Sequence, residues 1–148
     1  MGSVETIFGA GAFLRRPLTE VSGVRKMPWL ERRLLLRGSP LKGEELHLGP
    51  PQVWLARSWV LRLGSVKGTV HKVGLVADTA GPEDAGDLLA TAITTLQTHL
   101  GPGQRLNDDM FVVDGDDGNA IVQRSNVLGD RRIMVALTSD IVRQFQRS

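Results

Sequence analysis

The sequence predicts an α+β fold: a mostly antiparallel sheet of five to seven strands, with one long helix packed on one face and a short C-terminal helix. Three observations lead there. Apolar residues recur at three- and four-residue intervals between Gly81-Pro82 and Gly101-Pro102-Gly103, which marks a single amphipathic helix over 82–100. Segments with period-two alternation lie on both sides of it, joined by short turn-rich links that suit hairpins. The chain has 148 residues, 41% hydrophobic and 23% charged, which is the size and composition of one domain around one core.

Residues 1–30 are the least regular part and read as an N-terminal arm or cover, broken by Gly9, Gly11, Pro17, Gly23 and Pro28. Residues 32–37 and 44–48 read as two short strands, with Gly38-Ser39-Pro40 as the turn between them. Residues 52–63 read as one continuous strand, with Val53, Leu55, Trp59, Leu61 and Leu63 on one face and Trp54 on the other. A turn over 64–68 returns the chain into a strand over 69–77. In the helix, Ala85, Leu88, Leu89, Ala92, Ile93, Leu96 and Leu100 form the apolar stripe. Pro82 suits the first helical position, acids stand near the positive end of the dipole, and Gly101 suits the stop. Strands over 110–113, 120–124 and 132–137 follow, and Ser139 is placed to cap a closing helix over 140–146.

The last strand is apolar on both faces: Ile133, Val135 and Leu137 on one, Met134 and Ala136 on the other. One helix covers only one face of a sheet. The second face therefore calls for residues 1–30, a second copy of the chain, or a ligand or partner.

Composition excludes several functions. No apolar run approaches the length of a membrane span. The N-terminus places its basic pair after its short apolar stretch, the reverse of a secretory signal, although Met1-Gly2-Ser3 has the look of a cloning scar, which would leave room for a native leader before it. The default compartment is the cytoplasm. The absence of cysteine excludes disulfides, thiol catalysis and cysteine metal sites. The net charge of +2 hides an asymmetry: residues 1–72 carry twelve Lys/Arg against five Asp/Glu, and residues 73–148 six against eleven. Two halves of opposite sign attract within one fold, and no run of five like charges marks a nucleic-acid tail.

Motifs are sparse. Gly9-Ala10-Gly11 opens like a dinucleotide loop, but Leu14 stands where the third glycine belongs and no strand fits before it. No phosphate loop or Gly-x-Ser-x-Gly elbow occurs. The acidic run Asp114 to Asn119 reads as a hairpin turn, since an EF-hand loop starting at Asp114 lacks its glycine and glutamate. His47, His71 and His99 lack metal-ligand spacing. No cofactor or metal is expected.

The function expected is a non-catalytic binding or protein-interaction module whose partner is a protein or a second copy of the chain. The alternative is a small-molecule or anion site, enzymatic or not, in a pocket between helix and sheet. Its residues would be Arg57, the one charge on an apolar strand face, with His71 and Arg124. A further alternative is nucleic-acid binding through the basic N-terminal half at Arg32 and Arg33, where cations interleave with Phe13 and Trp29.

Overall fold

A computed structural model describes residues 3–29, 32–33, 43–115, 117–125 and 132–139. The closing helix over 140–146, the turn over 38–40 and most of the strand over 32–37 lie outside the described residues; at 32–33 the backbone is helical rather than extended. Nine strands and one long helix are described, so the class is α+β with an antiparallel sheet larger than the sequence predicts. The strands are β1 (Arg25–Lys26), β2 (Glu45–Leu48), β3 (Gln52–Trp54), β4 (Arg57–Val66), β5 (Thr69–Asp78), β6 (Gln104–Asn107), β7 (Met110–Gly115), β8 (Gly118–Ser125) and β9 (Arg132–Ser139). The helix α1 spans Pro82–Leu100 between β5 and β6.

The sheet order is β1-β2-β4-β5-β9-β8-β7-β6, with β3 paired to β4 off this path. The chain runs down β4 and β5, crosses on α1 to the far edge, and returns by the β6-β7-β8-β9 meander to pair β9 with β5. Four of the strands, β1, β2, β3 and β6, have only two to four residues. Of these, β1 and β6 show too little alternation to be read from sequence, and β3 runs into β4 in the sequence pattern, which accounts for the undercount. They also guard the sheet: β1 presents Arg25 and Lys26 at one edge, and β6 is broken by a register shift between Arg105 and Asn107 at the other.

The helix follows its sequence pattern. The buried residues of α1 are Ala85, Leu88, Leu89, Ala92, Ile93, Leu96 and Leu100, the whole predicted stripe. Pro82 opens the helix, and Gly101 ends it at φ 101°, a backbone angle that favours glycine. On the exposed face the hydroxyls of Thr91, Thr95 and Thr98 donate to carbonyls one turn back.

The long strand expected over 52–63 is two strands. Leu55 and Ala56 take positive φ of 51° and 58° and form a two-residue hairpin turn in which Trp54 faces Arg57. The turn shifts the alternation, so Trp54 and Trp59 meet instead of facing apart. Their rings lie 5.4 Å apart, the Trp59 indole N–H donates to the Trp54 carbonyl at 2.7 Å, and Phe8 packs edge-on against Trp54. Val53, expected in the core, is 83% exposed. The turn expected over 64–68 contracts to Lys67 and Gly68, both at positive φ, and Gly64 to Val66 remain in β4.

The arm's place also differs from the simplest expectation. Its three 3-10 turns, Val4–Thr6, Gly9–Phe13 and Leu18–Glu20, contribute Val4, Ile7, Phe8, Ala10 and Leu14 to the same core as α1. A Cβ on Gly115 would touch both Val4 and Leu100, which places the arm beside the end of the helix on one sheet face. From the same arm Met27, 2% exposed, reaches the far face. The arm is fastened by main-chain bonds between residues 15–18 and the β4–β5 hairpin, and by Asp117 in the β7–β8 turn. Asp117 accepts from the Ser3 hydroxyl and from the Val4 N–H at 3.0 Å, while Arg15 donates to its carbonyl.

Burial pushes the Asp117 carboxyl up, but the Ser3 and Val4 hydrogen bonds and the Arg15 charge outweigh it and hold the group below the usual carboxylate range. Such a carboxyl adds stability above its unfolded pKa and loses it as pH falls through the lower folded value. Urea midpoints should therefore drop from about pH 4 downward. Asp117→Asn should be less stable at pH 7 and should show a shallower acid slope than wild type; parallel slopes would show that Asp117 is not a source of this dependence.

Candidate functional site

Period-two alternation divides the sheet into an α1 face and a far face. On the α1 face, register pairs Leu61, Leu75, Val135, Val122 and Phe111 in one row and Leu63, Val73, Leu137, Ala120 and Val113 in the next. All ten are buried under the helix and arm. The far face carries different chemistry. One row reads Leu46, Gly64, Lys72, Thr138, Asn119; the next reads Leu48, Arg62, Gly74, Ala136, Ile121; the third includes Val60, Val76, Met134 and Gln123.

The middle of this face is built from residues with little or no side chain. Gly64, Gly74 and Ala136 stand together in adjacent rows on the three central strands, with longer side chains around them. The result is a recess of about 270 Å³, just below the size of typical small-molecule pockets. Gly64, Gly74 and Ala136 line it, and Leu46, Ile121, Met134 and Met27 provide apolar walls.

The two glycines have different reasons to be glycine. A Cβ on Gly64 would collide with the Glu44 carboxylate, so this glycine seats Glu44. A Cβ on Gly74 would meet nothing closer than the Arg62 Cβ at 3.8 Å, an ordinary contact, and its φ is not positive. The fold does not require glycine there, and mid-strand glycine costs about 0.5–1 kcal/mol relative to alanine. What Gly74 supplies is space.

Polar groups lie at one end of the recess, with Arg62 in the middle row opposite Gly74. The Glu44 side chain, 1% exposed, is held by the Lys72 ammonium at 3.2 Å. Beside Lys72 on the next strand, the Thr138 hydroxyl donates to the side-chain oxygen of Asn119. The opposite end, over Ala136, Ile121 and Met134, is apolar.

The residues singled out from sequence lie elsewhere. Arg57 forms a two-pronged ion pair with Asp84, at 2.9 and 3.1 Å, and ties the start of β4 to the first turn of α1. Its hydrogen bonds, with that from the Ala80 N–H, hold the Asp84 carboxyl below the usual range, and Asp84 in turn raises Arg57. Arg124 reaches α1 at Gly86, and its guanidinium lies 3.8 Å from Asp109. His71 is the extra residue of the bulge opposite Gly64 and Ser65, with its Nδ1 2.9 Å from the buried Ser139 hydroxyl. None of these three lines the recess, which is on the other face from the pocket expected between helix and sheet. Arg33 lies over the Trp29 ring at 5.3 Å, and the Arg32 N–H donates to the Pro28 carbonyl.

Sequence reasoning missed the recess although a signal was present. Glycine inside a strand pattern marks a bulge or a place where another group approaches closely. Gly64 and Gly74 are two such glycines on neighbouring strands. Among the described residues no cluster of three His, Asp or Glu side chains could hold a metal, and no helix is long and apolar enough to cross a membrane. No family model, curated protein or solved structure matches the chain.

Proposed function

We propose that this chain is a non-catalytic binding module that takes a small, largely apolar molecule in the recess on the far face. The observation that carries the reading is Gly74. A central strand position bears a residue that weakens the strand, nothing in the backbone or packing asks for it, and the space it leaves is the floor of a pocket. Stability surrendered where a ligand would sit is a common sign of function. Binding rather than turnover is supported by the polar groups themselves, which engage one another: Lys72 with Glu44, and Thr138 with Asn119. Among the described residues the edge strands are β1 and β6, and their guarded form argues against a partner that adds a strand to the sheet.

The test uses N-phenyl-1-naphthylamine, a neutral dye that brightens in apolar sites. Wild type should bind it saturably at one site, and Gly74→Val, with its methyl groups in the recess, should bind at least about tenfold more weakly while unfolding at an equal or higher urea concentration. Absence of saturable binding, or equal binding by the folded variant, would overturn the reading.

A further inference from the structure

We infer that the occupant of the recess is a monoanionic amphiphile, a medium-length chain ending in a carboxylate, with its head at Lys72 and Asn119 and its tail toward Met134. This inference rests on the recess reading above and adds the chemistry of the ligand. The recess is polarised along the strands. Its first row holds Lys72, Thr138 and Asn119 side by side on β5, β9 and β8, its next holds Arg62, Gly74, Ala136 and Ile121, and Met134 lines the third. From the Lys72 row to the Met134 row is four residues of strand, about 13 Å, so a chain laid along this axis runs from the cations of the first two rows, Lys72 and Arg62, to the apolar side chain of Met134.

The polar end offers donors. An ammonium carries three N–H groups and Glu44 engages one of them. Asn119 uses its side-chain oxygen to accept from Thr138, which leaves the amide N–H groups as its remaining chemistry. A carboxylate, an acceptor with two oxygens, complements such a set through charge-assisted bonds. Glu44, fixed beside Lys72, repels an anion in proportion to its charge, so a monoanionic carboxylate suits this end better than a dianionic phosphate monoester.

Calorimetric titration with decanoate, 1-decanol and decylammonium tests the inference on wild type, on Gly74→Val and on the charge-neutral double variant Glu44→Gln/Lys72→Gln, each checked for folding by circular dichroism. Wild type should bind decanoate at least about tenfold more tightly than decanol, with decylammonium weakest. The double variant should lose that preference yet keep decanol binding, and Gly74→Val should lose all three. Equal binding of decanoate and decanol, tighter binding of decylammonium, or a preference that survives in the double variant would overturn the carboxylate head. In each of those cases loss of binding in Gly74→Val would leave the recess itself standing. No binding of any of the three, or binding unchanged in Gly74→Val, would overturn both.

Discussion

Trp59→Ala should destabilise the protein by about 3–5 kcal/mol, the cost of truncating a fully buried aromatic side chain. Trp59 is 1% exposed and sits where β4, the arm and the β3–β4 hairpin meet. Its ring packs on Trp54, which packs on Phe8, and its N–H satisfies the Trp54 carbonyl. Alanine there leaves a cavity and removes that hydrogen bond. Trp59→Phe keeps most of the volume and loses the hydrogen bond, so it should cost about 1–2 kcal/mol. Urea unfolding followed by far-ultraviolet circular dichroism measures both. A loss below about 1 kcal/mol for Trp59→Ala would contradict the placement of this cluster in the core.

Lys72→Met should cost about 2 kcal/mol, because it leaves Glu44 buried without the cation that holds it. Lys72 is itself 26% exposed, which keeps the effect below that of a fully enclosed pair. Removing both charges should be milder than removing the cation alone. Glu44→Gln/Lys72→Met is therefore expected within about 1 kcal/mol of wild type, so that the cycle of single and double variants shows a coupling of about 1 kcal/mol or more. Strict additivity would show that the pair is not a unit. The pair also explains why Gly64 admits no side chain, since a Cβ would displace the carboxylate from its seat.

The helix was legible in the sequence because its signal is long: nineteen residues, a full stripe, and glycine and proline at both ends. The central strands were legible for the same reason. What the sequence hid was short or depended on pairing. Leu55 and Ala56 carry no turn signature, since neither is Gly, Asn or Asp, yet both take positive φ and split one expected strand into two. That split moved Trp54 beside Trp59 and took Val53 out of the core. The apolar arm residues Val4, Ile7 and Phe8 gave no indication of which face they would cover, and they joined α1.

The candidate site was legible only in part. Met134 and Ala136 show an apolar far face in the sequence, and that is the side of the sheet on which the recess lies. Arg57, His71 and Arg124 are conspicuous as charge in an apolar pattern; Arg57 pairs with Asp84, His71 lies 2.9 Å from the Ser139 hydroxyl, and Arg124 lies 3.8 Å from Asp109, all away from the recess. The recess is written in residues that lack side chains, and its depth exists only once Gly64, Gly74 and Ala136 are brought together by register.

The most direct test of the central claim is a ¹⁵N–¹H nuclear magnetic resonance titration of the wild-type protein with N-phenyl-1-naphthylamine. The predicted result is saturable shifts at the amides of Gly64, Lys72, Gly74, Asn119, Ile121 and Ala136, with Leu88, Leu96 and the rest of α1 unmoved. Shifts centred on α1 and the residues beneath it, or none on the far face at saturating dye, would contradict the claim.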